Sequence, residues 1–160
     1  MIDRRSLFLS AAALAACAGP VARAGPDAYA ASPWRKLTPA DWRARLDPDS
    51  FAVLREEATE RPFSSPLDHF EKRGSYLCIG CGLPLFKSDW KYDSGTGWPS
   101  FWTVVPGAVA RKTDLKLLEP RTEYHCARCL GHQGHVFEDG PKPTGLRYCN
   151  NGVALRFQPT

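Results

Sequence analysis

Residues 78–82 read CIGCG and residues 126–129 read CARC. Each Cys-x-x-Cys turn aims two sulfurs at one point, and two such turns supply the four ligands of a tetrahedral zinc. Between Cys81 and Cys126 lie 44 residues, more than a simple zinc ribbon spans, so the fold has to bring the turns together. Four thiolates, from Cys78, Cys81, Cys126 and Cys129, close the coordination shell, which makes the expected metal structural, one Zn2+ per chain. Disulfides are the rival reading, and a redox-active pair is another. The spacing suits metal or redox work better than isolated structural bridges.

Cys149 stands outside this set, in residues 146–157, LRYCNNGVALRF. An unpaired cysteine is often buried and inert. Its neighbours point the other way: Arg147, two residues back on the same strand face, favours a thiolate, and Asn151 offers a polar orienter. His132 and His135, in GHQGHVFEDG, are candidate proton donors, although His132 reads equally well as a structural residue. If residues 146–157 form one strand, Arg147, Cys149, Asn151, Val153, Leu155 and Phe157 share a face, with Gly152 a candidate bulge. Residues 94–102, SGTGWPSFW, form a glycine-hinged loop whose aromatics either plug the core or cup a small apolar group. Asp93 and Ser94 look like turn formers.

Around these motifs the chain reads as two small helices on an antiparallel β core. Candidate strands are Gly74–Cys78, Leu83–Lys87, Val109–Asp114, Thr122–Cys126, His135–Phe137 and Leu146–Phe157, separated by turns rich in Gly, Pro, Asp and Ser. Thr38-Pro39-Ala40-Asp41 marks a helix start, with Trp42 and Leu46 on its apolar face. Asp47-Pro48 starts a second helix, with Phe51, Val53, Leu54 and Ala58 facing inward and Pro62 as its stop.

The first 24 residues read as an export signal: Arg4 and Arg5, then an apolar run from Leu7 to Ala18 too short to span a membrane. The arginine pair resembles a twin-arginine signal. Ala22-Arg23-Ala24 fits ordinary cleavage, whereas Leu14-Ala15-Ala16-Cys17 resembles a lipobox that would leave Cys17 lipidated. Residues 25–33 read as a linker and 34–160 as one domain. Without residues 1–24, 18 basic and 16 acidic side chains remain, a net charge of +2. That is too weak and dispersed for nucleic-acid binding. The same portion contains no methionine, since the only one is Met1.

Three ordered stretches carry a resemblance: TERPFSSPLDHFEKRGSYLCIGCGLPLF (59–86), KYDSGTGWPSFW (91–102) and GHVFEDGPKPTGLRYCNNGVALRF (134–157). Together they resemble the type B methionine sulfoxide reductase family, from about Trp34 to Phe157. The resemblance implies a mainly β fold of two small antiparallel sheets with short N-terminal helices and a structural zinc site. It implies reduction of methionine R-sulfoxide in proteins and peptides. By position, Cys149 matches the nucleophile, His135 the active-site histidine and Asn151 the asparagine beside the nucleophile. Trp98 matches the tryptophan that packs on the sulfoxide methyl. Phe137, Asp139, Arg147 and His132 fall where the pocket and its polar network lie, and Cys78, Cys81, Cys126 and Cys129 match the zinc ligands.

Three positions depart from the family pattern. Thr96 stands where many relatives have a resolving cysteine, Gly152 replaces a common serine, and Gln133 a frequent leucine. With Thr96 in the loop and Cys17 in the signal or at a lipidated terminus, no second thiol is at hand. The expected cycle passes through a Cys149 sulfenic acid that an external thiol or thioredoxin-like protein reduces. The expected setting is the bacterial envelope or periplasm, as a monomer without nucleic-acid partners, meeting the membrane only through a lipid on Cys17. Two other classes remain open on residues alone: a zinc-stabilised binding module, and a disulfide oxidoreductase using a Cys-x-x-Cys pair.

Overall fold

The computed structural model describes residues 27–117 and 119–160; the segment expected to be an export signal, with its expected cleavage sites and Cys17, lies outside the described residues. A 3₁₀ turn over Pro33–Lys36 precedes helix α1 (Pro39–Arg43). Thr38 and Asp41 cap that helix reciprocally: the Asp41 N–H donates to the Thr38 hydroxyl and the Thr38 N–H to the Asp41 carboxylate. Helix α2 (Pro48–Glu56) starts on the Asp47 carboxylate, which accepts from the Ser50 N–H, and buries Phe51, Val53 and Leu54. It stops earlier than Pro62, because Glu57 takes a left-handed conformation (φ 57°) and closes the last turn. Ala58 therefore lies beyond the helix, though it still packs on the core. Among the described residues no helix is long and apolar enough to cross a membrane.

Two antiparallel sheets follow. The smaller has strand order β2–β1–β9, from β1 (Gly74–Cys78), β2 (Pro84–Lys87) and β9 (Leu155–Pro159). The larger has order β3–β4–β8–β7–β6–β5, from β3 (Lys91–Tyr92), β4 (Ser100–Phe101), β5 (Val109–Asp114), β6 (Arg121–Cys126), β7 (His132–Phe137) and β8 (Arg147–Asn150). The core between them is aromatic. Phe86 of β2 stacks on Phe101 of β4 with ring centres 4.1 Å apart, and Tyr76, Tyr124 and Tyr148 close around this pair.

The single strand expected over 146–157 is two strands in different sheets. A 3₁₀ turn at Gly152–Ala154 separates β8 from β9. The physical reason is where the backbone donors go: the N–H groups of Gly152 and Val153 are taken by the Glu60 carboxylate, and that of Asn151 by the Gln133 carbonyl. The shared face of six alternating residues therefore ends at Cys149. Two further expectations shift. Part of the glycine-hinged loop is strand, since Ser100–Phe101 pairs with both β3 and β8, and β7 begins at His132 rather than His135.

Candidate active site

The two Cys-x-x-Cys turns are built alike. In the first, the Cys78 N–H donates to the Leu83 carbonyl and the Gly82 N–H to the Cys78 carbonyl; in the second, Cys126 donates to Gly131 and Leu130 to Cys126. All four cysteines are buried, and each ligand atom lies within 4.8 Å of the others. Cys78 Sγ is 3.6 Å from Cys129 Sγ and Cys81 Sγ is 3.5 Å from Cys126 Sγ. Those gaps are far too long for disulfides and close to the edge of a tetrahedron with metal–sulfur bonds of about 2.3 Å. Four buried thiols at these separations fit a metal ion. Gln133, fully buried, adds a hydrogen bond from its amide to Cys78 Sγ at 3.5 Å.

Cys149 is free and half-buried, and it lines a small cavity of about 120 Å³. Trp98, His135, Phe137, Arg121, Thr59, Asn150 and Asn151 share that lining. Strand register puts them there: Cys149 of β8 pairs with His135 of β7 on one side and Ser100 of β4 on the other. Directly paired side chains on one sheet face stand about 5 Å apart at Cβ. Trp98 is fixed by its indole N–H, which donates to the Glu60 carbonyl at 3.2 Å. Asn151 is fixed at both ends, its Nδ2 donating to the Gln133 carbonyl and its Oδ1 accepting from the Glu60 N–H.

His135 is oriented by a carboxylate. Its Nε2 lies 2.7 Å from Asp114 Oδ2, which also accepts from Arg121 at 2.7 Å, while Asp114 Oδ1 takes the Lys116 N–H. The Lys116 N–H, His135 and Arg121 together hold Asp114 well below the usual carboxylate range. Burial lowers His135, outweighing Asp114, so the ring is neutral at pH 7. A carboxylate only accepts, so the proton sits on Nε2 and Nδ1 carries the free lone pair. His135 is thus the register partner of Cys149, lines the same cavity and has one ring nitrogen held by Asp114.

Burial also raises the Cys149 thiol, against the pull of Arg147 and Thr96. Arg147 favours the thiolate as expected, but burial outweighs it, so the sulfur is not held as a ready anion. Arg147 forms a two-pronged ion pair with Asp139 (2.8 and 2.7 Å) and lies over the Phe137 ring, so its charge is already shared. Neither Arg147 nor Asp139 lines the cavity. His132 is also away from it: its ring is buried, with Nδ1 2.8 Å from Glu123. Asp114, Arg121 and Thr59 were missed in the sequence. Only the β5–β6–β7 register brings Asp114 opposite Arg121 and near His135, although Thr59 opens one of the resemblance stretches.

With this geometry in place, comparison with known proteins is informative. Residues 46–159 match the SelR domain family. A peptide methionine sulfoxide reductase MsrB of Bradyrhizobium diazoefficiens is 55% identical over 119 residues, covering 74% of this chain and 86% of the relative. One from Agrobacterium fabrum is 50% identical over 129 residues, covering 80% and 96%, and one from Methanosarcina mazei is 50% identical over 118 residues, covering 73% and 84%. The matched region contains the free Cys149 with its cavity and the four-cysteine cluster, so the chain belongs to the SelR-domain family of type B methionine sulfoxide reductases.

Proposed function

We propose that this protein reduces methionine R-sulfoxide in proteins and peptides to methionine, using Cys149 as nucleophile. The observation that carries this is the Cys149 thiol, held in a small aromatic-lined cavity as register partner of a histidine that a carboxylate orients. The Cys149 proton passes to Nδ1 of His135, and Asp114 steadies the resulting imidazolium. The thiolate attacks the sulfoxide sulfur while the imidazolium returns that proton to the oxygen. The S–O bond of the substrate breaks, the hydroxyl ends on Cys149 as a sulfenic acid, and methionine leaves. Cys149 sulfur is oxidised by two electrons and the substrate sulfur reduced by two, so the step balances. Trp98 and Phe137 hold the methyl end, and the fixed polar side opposite selects the epimer.

Two external thiols, or one dithiol of a thioredoxin-like protein, return the sulfenic acid to the thiol with release of water and a disulfide. The other four described cysteines are buried together away from the cavity, which supports a cycle without an internal disulfide. Cys78, Cys81, Cys126 and Cys129 would hold Zn2+, which ties the ends of β1 and β6 together and takes no part in the chemistry. The twin-arginine-like start, with either cleavage after Ala24 or lipidation at Cys17, supports work in the bacterial envelope.

The test uses a peptide carrying separated R and S methionine sulfoxides with dithiothreitol as reductant. Turnover of the R form alone, lost in Cys149→Ser, is expected; equal turnover of both forms or an active Cys149→Ser protein refutes the reading. Mass spectrometry after one turnover without reductant should show one oxygen on Cys149, whereas Cys149 bridged to another cysteine of the chain ends the external-thiol cycle.

A further inference from the structure

Each Cys-x-x-Cys turn carries a guanidinium at the same place. Arg128 Nη1 donates to the Cys81 carbonyl at 3.1 Å, and Arg55 Nη1 donates to the Cys129 carbonyl at 3.0 Å. Cys81 and Cys129 are the second cysteines of their turns. The peptide units that accept these bonds are also the ones that close the turns. Their N–H groups, on Gly82 and Leu130, donate back to the carbonyls of the first cysteines, Cys78 and Cys126. A bond accepted at one end of a peptide unit strengthens the bond donated at the other. The two guanidiniums therefore tighten both turns at their closing link.

The two arginines arrive from different directions. Arg55 comes from α2, with its guanidinium carbon 5.0 Å from the centre of the Trp42 ring. Arg128 belongs to the second turn and reaches across to the first, lying over the Tyr29 ring at 5.6 Å. It thus ties one turn to the other. Among the described residues neither of the two pairs with a carboxylate, unlike the other arginines that approach one. Arg35 also reaches the second turn, donating to the Ala127 carbonyl at 2.5 Å, but its charge is matched by Asp27.

Charge gives this arrangement a purpose. Four thiolates around one divalent ion leave a net negative charge in a buried site. Buried charge is costly unless it is compensated. Arginine stays protonated in proteins, so Arg55 and Arg128 bring unmatched positive charge to the turns that hold the sulfurs. We propose that Arg55 and Arg128 are the counter-charges of the metal cage, positioning residues that set how firmly Cys78, Cys81, Cys126 and Cys129 keep a zinc ion. The proposal rests on the metal reading of the four cysteines and is independent of the chemistry at Cys149.

The test follows release of Zn2+ from the full zinc-loaded chain to an excess of a chromogenic chelator. Arg55→Met and Arg128→Met keep the apolar stem and remove the charge. Each should quicken release by about 10-fold, the size of effect that residues around metal ligands exert, and the double variant should release faster still. Arg55→Lys and Arg128→Lys keep the charge and should recover most of the wild-type rate. A residue that only packs against the turns would not separate lysine from methionine. Methionine variants that release zinc at the wild-type rate overturn the proposal, and so do lysine variants that release it as fast as the methionine ones. Should Arg55→Met fail to fold, Arg128→Met and Arg128→Lys decide by the same criteria. A wild-type chain that takes up no zinc sinks the metal cage and the counter-charges with it. A wild-type chain that holds zinc no more firmly than its methionine variants sinks the counter-charges alone.

Discussion

Glu60 and Asn151 are locked together from both directions: the Glu60 N–H donates to Asn151 Oδ1 at 3.0 Å, and the Glu60 carboxylate accepts from the two backbone N–H groups that follow Asn151. The same residue's carbonyl holds the Trp98 indole. Glu60 is thus the clamp on the turn that divides β8 from β9. Burial raises its pKa against the pull of the Gly152 and Val153 N–H groups.

The backbone contacts of Glu60 survive substitution, and the carboxylate contacts do not. Glu60→Ala leaves the Gly152 and Val153 donors unpaired, at a cost of about 1–3 kcal/mol each if they stay dry. Urea unfolding should show that loss. Glu60→Gln keeps an acceptor and should fall between Ala and wild type. Equal stability of all three proteins would remove the clamp from the account.

The Asp114–His135 pair predicts a definite response to acid. A histidine whose folded value lies below the free value of about 6.5 costs stability as pH falls beneath that free value, because the unfolded chain takes up the proton first. Asp114 has the depressed value of a held carboxylate, so its contribution is present above the free value near 3.8 and fades as pH drops through the folded one. Both terms weaken the fold in acid. In Asp114→Asn the carboxylate that raises His135 is gone, so the imidazole titration followed by NMR should move to still lower pH. Turnover should fall by roughly 10²-fold or more, as for a lost general acid–base partner. An imidazole titration that stays in place would separate His135 from Asp114.

Metal analysis should find one zinc per chain, and stripping it should lower the melting temperature sharply, since binding to such a site is folding free energy. Gln133→Leu separates two effects in that neighbourhood. The amide donor to Cys78 is lost, so release to a chromogenic chelator should quicken by about 10-fold or more. Gln133 Oε1 is also a buried acceptor with no partner, so the leucine should leave the metal-loaded fold no less stable. Unchanged release kinetics would mean that the amide contributes nothing to the cage.

Gly152 is buried, and a Cβ placed there would overlap the Ser65 hydroxyl. The glycine is thus fitted to Ser65 rather than simply slack. Gly152→Ser should cost about 1–3 kcal/mol by overpacking, and pairing it with Ser65→Gly should recover part of the loss in a double-mutant cycle. Strict additivity of the two changes would contradict the overlap.

Much of this was legible because the signals were local. The Thr38–Asp41 cap, β1 and β5 with their bounds, and the four cysteines each announce themselves within a few residues. What stayed hidden depends on register between distant strands. Nothing near Asp114 says that it will meet His135, 21 residues on, and alternation along 146–157 gives no sign that a carboxylate from residue 60 will take the next two ladder donors. The depth of Cys149 was hidden for a related reason, since the burial that raises its thiol against Arg147 comes from strands far apart in the chain.

If Cys149 is the nucleophile, the substrate must enter a hollow of about 120 Å³, room for the tip of one thioether and not for the chain that bears it. Damaged side chains must therefore be brought to the protein from outside, on strands that can bend or protrude far enough to insert. On the proposed function, a sulfoxide in an unfolded protein should turn over faster than the same residue locked inside a well-packed one, which a comparison of native and denatured oxidised protein as substrate would check.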